Sequence, residues 1–229
     1  MTKGLLVTVL VLAASRAAAF DVNDFLPCEP LDPNPQLAYG DYNDPAQAVR
    51  LHTVEVNHLN SDVLRLKKGE TATNLARDLA FALRQFPNHP AALNAMGEWQ
   101  LKHGGTDDPE QVWTAECYFQ RAIAFRPNDP VVHVVYAIYL HKARRLQDAE
   151  RAYQSAEESG ATGADYFYNR GLLEVDLGNL DKAGEYAQKA YAQGFPLPGL
   201  RDKLARARAK QGHSAASPPQ ARASQSHSE

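Results

Sequence analysis

Apolar residues recur every three or four positions along most of the chain from residue 56 onward, and this spacing places one face of an α-helix in a core. Short stretches rich in Gly, Asn, Asp and Pro, such as LGNLD, FRPND and QFPNH, interrupt the pattern and favour turns. Residues 20–55 lack the helical spacing and are dense in Pro, Asp, Asn and Tyr. The pattern predicts an all-α chain of antiparallel helix pairs, about nine helices in all, behind an extended N-terminal arm.

Small residues repeat along the predicted helices at a fixed interval. An interval of thirty-four residues separates the members of four sets: Ala115, Ala149 and Ala183; Ala122, Ala156 and Ala190; Ala137 and Gly171; and Phe119 and Tyr153. Small side chains let two antiparallel helices approach each other closely, and the large side chains fill the space between successive pairs. The interval and the order of small and large residues resemble those of the tetratricopeptide repeat.

The thirty-four-residue register divides the helical part of the chain into four repeats. They span residues 56–89, which are degenerate, 90–129, 130–163 and 164–197. In the first repeat, Asn60 or Ser61 is expected to cap a short helix that ends at Gly69. In the second repeat, Asp108 is expected to cap a helix whose first residue is Pro109.

The C-terminal part of the chain contains two further segments. Residues 198–211 form an amphipathic pattern and are predicted to be a helix that caps the exposed end of the stack. Residues 212–229 are small, polar and interrupted by prolines, so they are expected to be disordered.

A wider resemblance covers the chain from about Cys28 to about Ala207. Its matching stretches are YGDYNDP, FPNHPAALNAM, ECYFQRAIAFRPND, YAIYL, YNRGLLEVDLGNLDKA and AYAQGFPLPGLRDKL. These stretches resemble a group of exported bacterial tetratricopeptide repeat (TPR) proteins of undefined activity. The resemblance implies a right-handed solenoid and a periplasmic role in protein interaction. Arg170 and Glu174 depart from the pattern, since the repeat usually has Leu and Tyr at these buried positions, and their spacing of four residues allows them to pair.

The N-terminal segment 1–19 is typical of a signal peptide. Lys3 supplies a positive charge, residues 4–14 form an apolar run, and the alanines at 17–19 form a cleavage site that leaves Phe20 at the mature N-terminus. The apolar run is too short to span a membrane, and no later segment is apolar enough to do so. The sequence therefore predicts an exported, periplasmic protein without an integral membrane segment after cleavage.

The chain contains two cysteines, Cys28 and Cys117. In an oxidising compartment an even count favours one disulfide. Cys117 follows Ala115 by two residues, or about 200° around a helix, so it is expected to face away from the buried stripe. Pairing with Cys28 would fix the arm across the outer face of that helix. Two unpaired cysteines are the alternative.

Composition and motifs argue against several classes of function. The formal net charge is −3 and the sequence has no basic stripe, so nucleic acid is not an expected partner. The chain lacks G-x-S-x-G, P-loop, H-E-x-x-H and C-x-x-C motifs, so an enzyme is not expected and no cofactor is assigned. His133 and His141 lie about two helical turns apart without a carboxylate between them, so no metal site is predicted.

In TPR proteins the first helix of each repeat lines a concave groove, and the second, fifth, ninth and twelfth positions contribute most of its surface. The residues at such positions are Asn94, Glu98, Val134, Ile138, His141, Tyr168, Leu172 and Val175, with Asn57, Asn60 and Lys67 from the degenerate repeat. The middle of this set is apolar and aromatic, which suits an extended or helical segment with apolar anchors. Tyr168 is the expected main anchor. Alternatively, Tyr39 and Tyr42 of the arm fill the groove.

The sequence favours a protein or peptide partner in the periplasm, with the chain acting as an adaptor or assembly factor for an envelope or secretion complex. A narrower alternative is a cytochrome c maturation factor that presents apoproteins for haem attachment. A third possibility is an enzyme with a cryptic active site. Neighbouring pilus, polysaccharide or secretion genes would favour the first function, and haem-lyase genes the second.

Overall fold

The chain is all-α wherever its structure is described. The computed structural model describes residues 28–32, 34, 38–70, 75–104 and 113–216, the last four of these for the backbone alone. These ranges contain ten α-helices and a short 3-10 helix, and no strand lies within them. The predicted all-α class is confirmed.

The helices follow one another with short connections. They are α1 (Ala48–His58), α2 (Ser61–Leu64), α3 (Leu75–Gln85), α4 (Pro90–His103), α5 (Ala115–Phe125), α6 (Pro130–Lys142), α7 (Leu146–Glu158), α8 (Ala164–Leu177), α9 (Leu180–Ala192) and α10 (Gly199–Ala216). The 3-10 helix, Pro45–Gln47, directly precedes α1. The most extensive packing is within the pairs α6–α7 and α8–α9, whose connections are only three and two residues long.

Two turns of similar sequence begin α4 and α6. The carboxylate of Asp129 accepts hydrogen bonds from the backbone N–H groups of Val131 (3.0 Å) and Val132 (3.4 Å), and α6 then starts with proline. At the equivalent place, Nδ1 of His89 accepts a hydrogen bond from Ala92 N–H at 3.3 Å. A side-chain acceptor followed by proline satisfies or removes the free donors of the first helical turn.

Helix α5 begins later than the sequence predicted. Its first residue is Ala115, and Oγ1 of Thr114 caps it by accepting a hydrogen bond from Cys117 N–H at 3.1 Å. The predicted start at Asp108 and Pro109 lies outside the described residues, but the residues before Ala115 that are described, 113 and 114, are not helical. A threonine cap therefore starts this helix.

The thirty-four-residue register coincides with the places where helices touch. The residues that share it have no exposed surface at all: Ala115, Phe119, Ala122, Ala137, Ala149, Tyr153, Ala156, Ala183 and Ala190. Gly171 is also buried, and a Cβ there would lie 2.6 Å from the side chain of Leu200 on α10 and 3.3 Å from Tyr186 on α9. Glycine is therefore required at 171 because two neighbouring helices press on it.

Helix α1 begins within residues 20–55, which were predicted to be an extended arm, and continues into the predicted degenerate repeat. It packs antiparallel to α3, because Arg50 donates to Gln85 Oε1 at 2.7 Å near one end and His58 Nδ1 lies 2.9 Å from Asp78 Oδ1 near the other. Val54 is the one residue of α1 that is fully buried. Such a narrow buried face leaves little periodicity in the sequence, which explains why the helix was missed.

Two helix boundaries also differ from their predicted positions. Asn60 caps α2 as expected, accepting from Asp62 N–H (3.0 Å) and Val63 N–H (3.1 Å), but α2 ends at Leu64 and not at Gly69. The backbone of Leu66 has φ 55°, a left-handed conformation that ends a helix. At the C-terminus, α10 continues to Ala216, beyond the predicted end at residue 211.

Candidate functional site

The predicted groove residues of α4, α6 and α8 differ widely in exposure. Asn94 is exposed, while Glu98, Ile138, His141 and Leu172 are half-buried. Val134, Tyr168 and Val175 are buried, with 4%, 9% and 8% of their surface exposed. Five of the eight side chains therefore have surface that a partner could contact. The other three are buried and contribute to packing.

Tyr168 is not the exposed anchor that the sequence suggested. Its ring stacks on Phe195 with the centroids 4.1 Å apart, and a Cβ on Gly199 would come within 2.7 Å of its hydroxyl oxygen. Burial raises the pKa of this hydroxyl. The segment between α9 and α10 covers Tyr168, and that packing could not be deduced from the position of Tyr168 within its own repeat.

A cluster of charged side chains connects α6, α8 and α10 next to the groove residues. Asp176 accepts from Lys203 Nζ at 2.6 Å, lies 2.8 Å from His141 Nε2 and is 3.5 Å from Arg144 Nη1. Burial by itself would raise the pKa of Asp176, but Lys203 and His141 outweigh it and the pKa is lowered. Burial lowers the pKa of His141 despite the neighbouring carboxylate.

A second ion pair joins α4 to α6. Lys142 contacts the carboxylate of Glu98, so the groove residue Glu98 already has a partner within the chain. Both side chains are substantially exposed, and a pair of this kind stabilises a fold only slightly. A bound partner could therefore replace either side of the pair at small cost.

Three further groove residues were predicted from the degenerate repeat, and their described contacts are local. Asn57 donates to the backbone oxygen of Thr53 at 2.7 Å, and Lys67 is 3.8 Å from Asp62. Asn60 uses its side-chain oxygen to cap α2. Of the three, Asn57 and Lys67 are exposed, so they are open to a partner.

The disulfide between Cys28 and Cys117 is present, as predicted. It joins residues 89 positions apart, with a Cα separation of 5.5 Å. Cys117 is on the far side of α5 from the buried stripe, but only 6% of its surface is exposed because the arm lies over it. The bond fixes the start of the described arm to α5.

The arm continues from the disulfide to the two turns that begin α4 and α6. The carboxylate of Asp41 accepts hydrogen bonds from Asn88 Nδ2 and Arg126 Nε, both at 2.7 Å. Asn88 also accepts from Tyr42 N–H at 3.0 Å, and Asn43 donates to Asp129 at 2.8 Å. One short stretch of the arm thus holds together two successive turns of the helical array.

The aromatic residues of the arm do not fill the groove. Tyr39 packs edge-on against Phe125 of α5 with the ring centroids 6.1 Å apart. Tyr42 lies against the ring of His89, 4.8 Å away. Among the described arm residues, the contacts are with α3, α5 and the turns that precede α4 and α6. The alternative that Tyr39 and Tyr42 occupy the groove is therefore wrong.

Arg170 and Glu174 form the buried pair that their spacing allowed. Arg170 Nη2 lies 2.7 Å from Glu174 Oε1, and Glu174, which has no exposed surface, also accepts from Asn179 Nδ2 at 2.8 Å. The guanidinium lies between the rings of Tyr153 and Tyr186, 5.7 and 5.8 Å from their centroids. The pair stands where the repeat pattern predicted Leu and Tyr, and its contacts reach α7, α8 and α9.

Asp176, Lys203 and Arg121 are not among the residues that the sequence pattern predicted. Asp176 follows Leu172 by four residues and so shares its helical face, which was a usable signal. Lys203 gave no such signal because its place next to the groove depends on how α10 docks. Arg121 contacts the arm, and the path of the arm could not be deduced from residues that lack periodicity.

Metal and membrane sites are not found in the part of the chain that the structure describes. No cluster of three His, Cys, Asp or Glu side chains there could hold a metal ion. None of the described helices combines the length and apolar character needed to cross a membrane. Comparison with known proteins gave no family model that matches the chain and no curated protein that matches it.

Proposed function

We propose that the chain is an exported TPR protein that binds a protein or peptide partner in a groove formed by α4, α6 and α8. The observation that carries the proposal is the burial of the residues that recur at intervals of thirty-four. Nine of these residues, on four different helices, have no exposed surface. In a repeat array each helix pair needs its neighbours to bury its apolar face, so the same residue type recurs at the same contact.

The surface of the groove supports binding of a segment that combines apolar and polar groups. Ile138 and Leu172 occupy equivalent positions on α6 and α8, and each keeps part of its side chain exposed. Asn94, Glu98 and His141 supply polar groups around them. Interfaces commonly combine a small apolar centre with a polar rim. An extended or helical segment with one or two apolar side chains fits this arrangement.

The arm supports the proposal because its described part leaves the groove open. It crosses α5 and ends at the turns before α4 and α6, and none of its contacts involves the eight predicted groove residues. Export is supported by the disulfide, since such bonds persist mainly in oxidising compartments. We therefore place the protein in the periplasm as an adaptor or assembly factor for an envelope or secretion complex.

A matched pair of variants tests the proposal. Ile138 on α6 and Ile123 on α5 are both half-buried isoleucines at the edge of the same core, and only Ile138 belongs to the groove. Ile138→Asp and Ile123→Asp should destabilise the fold to a similar extent, because each places a carboxylate at the edge of that core. Both variants, and the wild type, are immobilised and incubated with periplasmic extract of the source cells.

The proposal predicts a protein that is recovered with the wild type and with Ile123→Asp but not with Ile138→Asp. Circular dichroism of each bait confirms that helical content is retained. Equal recovery by both variants would place the binding surface elsewhere on the molecule. Equal loss of the partner with both variants would mean that the lower stability of the variants, and not the change in the groove, prevents binding.

A further inference from the structure

Arg121 lies in an unusual environment on the side of α5 that faces the arm. Only 5% of its surface is exposed, although no carboxylate of the described residues forms an ion pair with it. Its guanidinium carbon is 4.7 Å from the ring centroid of Trp113 and 5.6 Å from that of Tyr39. A buried cation requires compensation, and here two aromatic rings and the arm provide it.

The arm satisfies Arg121 with backbone oxygens. Nη1 of Arg121 donates to the backbone oxygens of Glu29 and Pro30, the second at 3.1 Å, and Nη2 lies 3.4 Å from the hydroxyl oxygen of Tyr39. The side chains of residues 28–30 and 32 are exposed. The contacts of this segment with Arg121 therefore go through backbone oxygens at fixed places after Cys28, one of them that of a proline, and not through buried apolar side chains.

The remainder of the arm is attached differently. Gly40 is buried against Phe86, Gly40 N–H donates to Gln85 O at 2.8 Å, and Asp41 is bonded to Asn88 and Arg126. These contacts do not depend on the disulfide. With the bond open, residues 28–32 would be held by Arg121 and by the hydrogen bond from Asp32 N–H to the Tyr39 hydroxyl at 3.2 Å, while the segment from Gly40 onward keeps its own contacts.

We propose that Arg121, Trp113 and Tyr39 form a binding site for an extended, acidic, proline-containing peptide, and that residues 28–32 occupy it as a tethered ligand that thiol–disulfide exchange releases. The segment in the site reads Cys-Glu-Pro-Leu-Asp, which carries two carboxylates and one proline. A cation that contacts carbonyl oxygens favours negatively charged chains, and proline favours the extended form. The site lies on α5 and is separate from the groove of α4, α6 and α8.

Exchange begins at Cys28, which is the exposed residue of the pair. A thiolate of a dithiol attacks Cys28 Sγ, the bond to Cys117 breaks, and Cys117 leaves as a thiolate that then takes up a proton. The second thiol of the dithiol attacks the mixed disulfide and releases Cys28 as a thiol. The dithiol is oxidised to its disulfide, and the protein gains two electrons and two protons as two thiols. Cys117 and the Arg121 site are then uncovered together.

The experiment uses the full chain carrying Cys28→Ser, which keeps Cys117 as the one free thiol. The probe is a synthetic peptide of residues 26–34, Leu-Pro-Cys-Glu-Pro-Leu-Asp-Pro-Asn, whose cysteine is activated as a mixed disulfide with an aromatic thiol. Attack by Cys117 joins the peptide to the protein and releases the aromatic thiolate, which is measured by its absorbance. A peptide of the same composition, with the cysteine at the same place and the other residues scrambled, is the control.

The proposal predicts that the arm peptide reacts about tenfold faster than the scrambled peptide, since one or two charge-assisted hydrogen bonds give a preference of this order. Adding Arg121→Leu should remove the preference, and Arg121→Lys should retain part of it because lysine keeps the charge but loses the planar fork. Arg151→Leu, which removes an exposed arginine of α7, should leave the preference intact.

Two outcomes would overturn the proposal. If Cys117 reacts no faster than the protein unfolds, residues 28–32 do not leave the site when the bond is absent. If both peptides react at the same rate, the site does not recognise the sequence of the arm. Circular dichroism of the Arg121 variants distinguishes a loss of peptide preference from a loss of fold. If Arg121→Leu does not fold, the reduced preference predicted for Arg121→Lys is the test.

Discussion

Gly40 of the arm lies flat against the ring of Phe86, so closely that no side chain fits between them. Phe86 has no exposed surface and directly follows α3, to which its N–H is bonded through Ala82 O at 2.8 Å, so it cannot move aside easily. The arm is therefore attached to the helical array by a close backbone contact at one point and by the disulfide at another.

Gly40→Ala should destabilise the protein by about 1–3 kcal/mol, which is the usual cost of overpacking a filled site. Urea unfolding followed by circular dichroism measures the change. Gly212→Ala is the matched control, because Gly212 lies in α10 with open space around it. That control should be neutral or stabilising by up to about 1 kcal/mol. Equal stability of the two variants would show that the arm does not press on Phe86.

Replacing one member of the buried pair should be more damaging than replacing both. Arg170→Met leaves the carboxylate of Glu174 buried without its cation, and breaking such a pair costs about 3–5 kcal/mol. Arg170→Met with Glu174→Met removes both charges and should recover most of that loss. The free energies of unfolding of the two single variants and the double variant are compared in a double-mutant cycle.

The exposed pair between Arg151 and Asp148 provides the control for this cycle, since 71% of the Arg151 side chain is exposed. Arg151→Met should change stability by no more than about 1 kcal/mol. A double variant no more stable than Arg170→Met would show that the pair is not what stabilises the contact of α7, α8 and α9.

Stability should fall in mild acid because of His89. Burial lowers the pKa of this imidazole below its ordinary value of 6.5, although Glu55 opposes the shift. Its neutral form is needed because Nδ1 accepts the capping hydrogen bond of α4. The unfolded chain therefore binds the proton more readily, and the contribution of His89 is present above pH 6.5 and is lost as the pH falls below it.

His89→Asn keeps an N-cap acceptor but removes the titration. The melting temperature of the wild type should drop between about pH 7.5 and pH 5.5, and the drop should be smaller in the variant. A part of the drop should remain, since burial lowers the pKa of His141 as well. An identical drop in both proteins would show that His89 does not titrate in this range.

N-terminal processing tests export independently of any binding partner. The small-residue site at positions 17–19 predicts cleavage before Phe20. Sequencing of the exported protein should give Phe-Asp-Val-Asn as its first residues. A mature protein that retains Met1 would contradict export through this signal.

Helices α6 to α9 could be predicted because apolar residues recur along each of them and each has a buried small residue: Ala137, Ala149, Gly171 or Ala183. Helix α1 could not, because its buried face is narrow and Val54 alone is fully buried. The disulfide could be anticipated from two cysteines and a presumed oxidising compartment. The burial of Cys117 could not, because it depends on where the arm lies.

The exposure of the predicted groove residues could be anticipated only in part. Position within the predicted repeats assigned these residues to α4, α6 and α8, and Asn94, Ile138 and Leu172 keep exposed surface on those helices. It misplaced Tyr168, because Phe195, which follows α9, stacks on its ring and Gly199 at the start of α10 lies against its hydroxyl. The charged cluster around Asp176 involves three helices and a lysine of α10, so it depends on packing that a single repeat does not encode.

Site-specific photo-cross-linking from Asn94 tests the proposed groove most directly. Asn94 is exposed on α4, and Gln188 is an equally exposed position on α9, away from the groove helices. A photoreactive amino acid is placed at either position in the full chain, and the source cells are irradiated. The account predicts one discrete cross-linked partner from position 94 that disappears when Ile138→Asp is added, and no such product from position 188. The same products from both positions, or none from position 94, would contradict a partner-binding groove on α4, α6 and α8.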